Sequence, residues 1–335
     1  MTSPSFSVAS KKTFAFLAVA IMLIALGNLP AQEGATNYTE QEYKAFQDIS
    51  AEASPAKKTN LVISFLKTYP KSALRSNVVA AYQGMINELR TGQKWQEIIT
   101  YGQQYQAFAP DDAYTISVLA TAYQESKNYK QFVVFGEKAY ASKPSATLAY
   151  YIAKAYLELN DNAKFLQWGE KTVAQMPDNY EILFELTRRF GAVQNNAQAS
   201  KYAKMAVKAM QEAKMPQGTS ADSWKSYQTN VFATCYTVIG IVAFENRDYN
   251  GAVSNLENSI KFYKGNDQAY YNLGMAYWQL SKIDMAMLNL AKAYVMNRTT
   301  SRVAKQNLDN LYKSTHQQSL AGEERIIARA QAELK

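Results

Sequence analysis

Asn266 to Arg298, NDQAYYNLGMAYWQLSKIDMAMLNLAKAYVMNR, decides how the rest of the chain is read. Tyr270, Leu273, Gly274 and Tyr277 fall at i, i+3, i+4 and i+7, so they share one stripe of a helix and turn it toward a neighbour. Ser281 and Lys282 interrupt that stripe and make a turn. Ile283, Ala286, Leu290 and Ala293 repeat it on a second helix, with small residues where the two helices approach most closely. A hairpin of this size cannot bury both of its faces, so it is expected in series.

The series is present. Thr234 to Tyr263 places Tyr236, Ile239, Gly240, Tyr249, Ala252, Leu256 and Ser259 in equivalent slots, and Gly240–Gly274 and Ala252–Ala286 are each 34 residues apart. The two units resemble the tetratricopeptide repeat, a 34-residue helix-turn-helix whose signature runs aromatic or Leu, Leu-Gly, Tyr, Ala, aromatic or Leu, Ala, Pro. Lys264 and Arg298 stand where that signature ends in proline. The resemblance implies an all-α fold, a right-handed α-solenoid of about six or seven such hairpins. The phrase FLKTYPKSA, Phe65 to Ala73, resembles the helix ends of repeat proteins in the bacterial envelope.

Working outward, residues 32–78 form a degenerate first hairpin, and residues 79–112, 113–145, 146–178 and 180–213 read as four repeats. Three second helices share a glycine, Gly102, Gly136 and Gly169, each preceded one turn earlier by a large residue, Ile98, Phe132 or Phe165. Glycine inside a helix costs about 1 kcal/mol relative to alanine. Three in register therefore predict a packing role, in which the large side chain fills a groove and the glycine admits the neighbouring helix.

The period breaks at Lys214-Met215-Pro216-Gln217-Gly218-Thr219-Ser220, a breaker cluster after which Ser220 or Asp222 can cap a longer helix. This insertion, 214–232, is either a hinge or a rigid bulge. Two repeats follow, 233–266 and 267–300. Residues 301–335 supply capping helices, of which 321–334 reads as charged and loosely docked.

Ser10-Lys11-Lys12 precedes an apolar run from Phe14 to Leu26, broken by Gly27, Pro30 and Ala31. That order predicts a signal peptide over residues 1–31 and an exported, periplasmic or envelope protein. The run is shorter than the roughly 20 residues of a comfortable membrane span. The alternative is an inner-membrane anchor left uncleaved, the only case in which a membrane contact is expected. No cysteine lies near the cut, which excludes a lipid-modified N-terminus.

No catalytic constellation is visible. His316 is the only histidine and Cys235 the only cysteine, so multi-histidine metal sites, intramolecular disulfides and most Ser-His or Cys-His nucleophiles are excluded. Cys235 is expected to pack inside the first helix of its unit. There is no glycine-rich phosphate loop. No cofactor, metal or catalytic residue is therefore assigned, and an enzyme is not expected. Net charge is +8, falling to +6 without Lys11 and Lys12, and its basic residues are interspersed with acidic ones. Nucleic acid is accordingly not an expected partner.

What remains is surface. The resemblance implies that the first helix of each hairpin lines a concave groove through its second, fifth, ninth and twelfth slots. Carried onto this chain, those slots place Gln83, Asn87, Arg90, Tyr114, Thr121, Gln124, Ile241 and Phe244 there, beside Tyr150, Lys154, Phe184, Arg188, Tyr271, Met275 and Trp278. The last seven are the candidate partner-binding residues. Relatives that clamp a C-terminal carboxylate do so with a basic residue and asparagines, and only Asn87 matches such a slot. The expected function is a non-catalytic scaffold of the bacterial cell envelope that binds a protein or peptide. The alternative is a glycan or cell-wall binding module using the groove aromatics. Oligomeric state stays open, since solenoid ends can stack.

Overall fold

A computed structural model describes residues 37–335; the expected signal segment lies outside the described residues. Among these residues the structure is entirely helical, with sixteen helices and no strand. No helix among them is long and apolar enough to cross a membrane. The helices fall into two compact units divided between residues 161 and 162, inside the stretch read as the 146–178 repeat.

The first unit holds α1 (Glu40–Ala51), α2 (Pro55–Thr68), α3 (Arg75–Thr91), α4 (Trp95–Phe108), α5 (Ala113–Glu125), α6 (Tyr129–Ser142) and α7 (Ala146–Glu158). The second holds α8 (Asn162–Gln175), α9 (Tyr180–Ala192), α10 (Asn196–Glu212), α11 (Ala221–Glu245), α12 (Tyr249–Phe262), α13 (Asp267–Gln279), α14 (Ile283–Val295), α15 (Ser301–Thr315) and α16 (Glu323–Glu333). Within each unit successive helices pack as antiparallel hairpins, α5 on α6 and α13 on α14 for example.

The turns repeat as strictly as the helices. Gln93, Lys127, Asn160, Gln194, Arg247 and Ser281 all have φ between 51° and 64°, a left-handed residue ending the first helix of a hairpin. The next amide reaches back to the helix, Lys282 N–H to Tyr277 O and Asn128 N–H to Tyr123 O, which satisfies a carbonyl the helix would leave unbonded. Asp112, Ser145, Asn179 and Asn266 cap the following first helices, each side chain accepting from an amide three residues on.

The glycines on second helices do what their register predicts. A Cβ built on Gly102 would lie 2.8 Å from Leu119, one on Gly136 3.2 Å from Ile152, and one on Gly169 2.9 Å from Leu186. Each opposing residue belongs to the first helix of the next hairpin. Ile98, Phe132 and Phe165 are buried beside them.

A second tie binds successive hairpins, again through residues at a fixed place. Gln103 donates to the Tyr123 hydroxyl at 2.7 Å, the Tyr156 hydroxyl donates to Glu137 at 2.6 Å, and Tyr277 donates to Glu257. In the α9–α10 hairpin the equivalent ring is Phe190, which has no hydroxyl. There Tyr202 of α10 stacks on Phe190 at 5.5 Å and donates to Glu170 at 2.8 Å, so the bond is kept by a tyrosine from the other helix.

The insertion is not a loose link. After an irregular stretch through Pro216 and Gly218, Ser220 caps α11 by accepting from Ser223 N–H at 3.2 Å. Trp224 and Tyr227 on the added turns form an edge-and-stack cluster with Tyr180 of α9, with centroids 5.7–6.1 Å apart. At the C-terminus α16 is firmly docked, contrary to its loosely attached appearance in the sequence. Ala330 is fully buried, Lys292 pairs with Glu333 at 2.6 Å, and Lys305 bridges to Glu323 at 2.9 Å.

Candidate functional site

In the first unit, Tyr150 and Lys154 lie one turn apart on α7, both half-buried. The ammonium sits 5.5 Å from the Tyr150 ring, and Tyr151 meets that ring edge-on at 5.3 Å. Nearer the N-terminus, the Tyr114 hydroxyl donates to Gln83 O at 3.1 Å and Asn87 Oδ1 at 3.3 Å. Burial pushes that hydroxyl up to about 12. Asn87, the one residue matching a carboxylate-clamp slot, is therefore engaged by its own neighbouring hairpin.

In the second unit, α9 carries Phe184 and Arg188, and here one expectation is corrected. Phe184 is only 4% exposed and cannot meet a partner directly. The reason is the insertion: Tyr227, on the added turns of α11, lies edge-on to Phe184 at 6.2 Å and covers the slot that a normal-length repeat would leave open. Arg188 remains exposed, its guanidinium 5.9 Å from the Phe184 ring and its Nη1 2.8 Å from Glu185.

Tyr271, Met275 and Trp278 run along one face of α13 at i, i+4 and i+7, each half-buried against the α12–α16 core. Tyr271 accepts a hydrogen bond from Asn307 of α15 at 3.1 Å, which fixes the ring while its edge stays accessible. The strip combines apolar bodies with the polar tips of Tyr271 and Trp278, the composition that favours protein contacts.

Reactive groups are not part of it. Cys235 is fully buried, and its burial pushes the thiol up to about 12, so it stays protonated at neutral pH. Among the described residues no group of three or more His, Cys, Asp or Glu side chains is placed to hold a metal.

The slot pattern did not find an open cavity of about 410 Å³ between the extended α11, the α12–α13 turn and Arg298. Two departures from the repeat marked it: the break before Ala221, and an arginine where the signature ends in proline.

The turn, cap and glycine patterns make the described residues a series of helical hairpins, the fold that the resemblance to the tetratricopeptide repeat implied. No protein-family model matches the sequence, and no curated protein matches it. Solved structures similar to it include MamA, 18% identical over 56% of this chain and 90% of that one, with a TM-score of 0.41. Another is YrrB, a TPR protein with an unusual peptide-binding site, 16% identical over 61% of this chain and 97% of that one, TM-score 0.43. A third is MamA from Desulfovibrio magneticus RS-1, 15% identical over 56% and 92%, TM-score 0.39.

Proposed function

We propose that this chain is a non-catalytic scaffold of the bacterial cell envelope that holds a partner protein or peptide against the first helices of its repeats. The observation that carries the reading is the α13 strip: Tyr271, Met275 and Trp278 share one face, and Tyr271 is pinned by Asn307. Side chains of this kind contribute about 2 kcal/mol or more each when a partner buries them. Export is supported by Lys11-Lys12 followed by the apolar run Phe14 to Leu26.

The test is affinity capture from envelope extract with the mature chain, beside a Tyr271→Ala/Trp278→Ala bait and a Met275→Lys bait, each first matched in helicity. Enrichment of one protein by the wild-type bait, lost with both variants, supports the reading. A photo-crosslinker at position 275 should then mark the same protein. Equal recovery by all baits overturns the surface assignment. N-terminal sequencing of the envelope-fraction protein checks export: a start after Gly27 or Ala31 is expected, and an intact Met1 overturns cleavage.

A further inference from the structure

The cavity beside α11 is extended by the insertion. The part of α11 that matches an ordinary 13-residue repeat helix such as α13 supplies Ala233, Thr234, Thr237 and Val238, and the added turns of the 25-residue helix lengthen that wall. Its added turns present Ser226, Thr229 and Asn230, continued by Thr234, along one face of the wall. All four are hydroxyl or amide side chains. Gln268 at the start of α13 faces the same space.

Thr237 and Asn266 line the cavity and are tied to Ser259 behind them. Thr237 and Ser259 are 5% and 0% exposed, their hydroxyls lie 2.8 Å apart, and Ser259 donates to Ala233 O at 2.8 Å. The Asn266 amide donates to both hydroxyls, at 2.8 and 3.0 Å, while its oxygen caps Ala269 N–H at 3.0 Å. Such a network fixes the α12–α13 turn in one conformation before any ligand arrives.

The charge lies on the rim. Arg298 donates through Nη1 to Gly265 O at 2.8 Å and to the Tyr263 hydroxyl at 3.2 Å, and its guanidinium lies 6.0 Å from that ring. Two bonds through one nitrogen hold the group in place while leaving other donors of its fork uncommitted. The only other charged residue lining the cavity, Asp267, uses Oδ2 to accept from both Thr300 N–H and its hydroxyl at 2.9 Å. A positioned, solvent-exposed cation therefore stands opposite the neutral hydrogen-bonding groups of the α11 wall, with the Asp267 carboxylate, held by Thr300, as the second charge lining the cavity. A single planar guanidinium suits a carboxylate, whereas a doubly charged phosphate is usually met by several cations.

We propose that this cavity binds a small hydroxylated carboxylate of the sugar-acid class, its carboxylate on Arg298 and its hydroxyls on the α11 wall. The volume, about 410 Å³, falls within the range of small-molecule sites. The proposal is independent of the α13 strip and of any protein partner there.

Titration calorimetry on the full chain tests it, with D-glucuronate as the probe, D-glucose as its uncharged counterpart, and trialanine as its free acid and its amide. Glucuronate should bind saturably, and glucose about tenfold or more weaker, the loss of one charge-assisted contact. Arg298→Gln should weaken glucuronate by a similar factor. Asn230→Ala, which leaves the Arg298 loop contacts intact, should also weaken it, and Arg302→Gln, outside the cavity, should not. Absence of saturable glucuronate binding, equal affinity for glucose, or an unchanged Arg298→Gln overturns the proposal. Saturable binding of the trialanine acid but not of glucuronate overturns the sugar-acid assignment and points to a chain terminus instead. Capture of a partner by the α13 strip should survive Arg298→Gln, so failure of one reading does not imply failure of the other.

Discussion

The hairpins α11–α12 and α13–α14 carry the glycine of their helix–helix contact on the first helix, Gly240 and Gly274, whereas α4, α6 and α8, second helices of their hairpins, carry Gly102, Gly136 and Gly169. On the first helix, a Cβ at Gly240 would lie 2.6 Å from Leu256 Cγ, and one at Gly274 2.8 Å from Leu290 Cγ and 3.1 Å from Ala286 O. Those leucines belong to the hairpin's own second helix. On the second helix, Gly102, Gly136 and Gly169 instead admit Leu119, Ile152 and Leu186 from the next hairpin. The bulk is displaced by one turn to match: Ala252 then Leu256, and Ala286 then Leu290, against Ile98 then Gly102, and Phe132 then Gly136. Each interface keeps one large residue and one hollow, so packing density is maintained while the hollow moves from within a hairpin to between hairpins.

The largest effect that would break this comparison is Phe132→Ala. Phe132 is 1% exposed, and its loss should cost about 3–5 kcal/mol in urea unfolding. Adding Gly136→Leu should restore nothing, because α5, the first helix of the same hairpin, carries Ala120 where Gly240 and Gly274 provide the hollow. Recovery by the double variant would show that the two arrangements are interchangeable.

Next comes Gly274→Ala, at about 1–3 kcal/mol, because backbone atoms of Leu290 and Ala286 oppose the new methyl and cannot rotate away. Gly136→Ala should lie within about 1 kcal/mol of wild type: its nearest contacts are side-chain atoms at 3.2–3.4 Å, and the gain in helix propensity offsets the crowding. Equal losses at the two sites would sink the distinction.

The tyrosine ties sharpen it further. Tyr156→Phe, Tyr202→Phe and Tyr277→Phe should each cost about 0.5–1.5 kcal/mol, the net worth of one hydrogen bond to a glutamate that water still reaches. Phe190→Tyr should gain nothing, since Tyr202 already occupies Glu170. Burial, reinforced by the neighbouring carboxylate, raises all three hydroxyls above their ordinary value of 10.0 in the folded chain. The folded state therefore holds these protons more tightly than the unfolded one. Their stabilisation is complete below pH 10 and is lost as pH rises above it. A pH series of melting temperatures should show that alkaline fall, and it should be shallower in Tyr277→Phe.

Much of this was legible from local pattern. The 34-residue spacing, the turn at Ser281 and the glycine register depend on residues close in sequence, where helical geometry alone fixes who faces whom. Candidate contacts were less legible. The slot that exposes Tyr271 also nominated Phe184, and nothing near Phe184 announces that Tyr227, 43 residues later, lies over it. Arg298 was visible only as a missing proline.

The amino-acid sequence by itself determined that the described chain folds as serial helical hairpins, because an amphipathic stripe at helical period must be buried and a 34-residue unit can bury it only against its neighbours. The tertiary structure decided which aromatics remain at the surface, that Tyr202 stands in for the hydroxyl Phe190 lacks, and that the lengthened α11 lines an open cavity with Arg298 at its rim. Those outcomes depend on contacts between residues far apart in the chain. Their partners are set by how helices of unequal length pack together, which local periodicity does not encode.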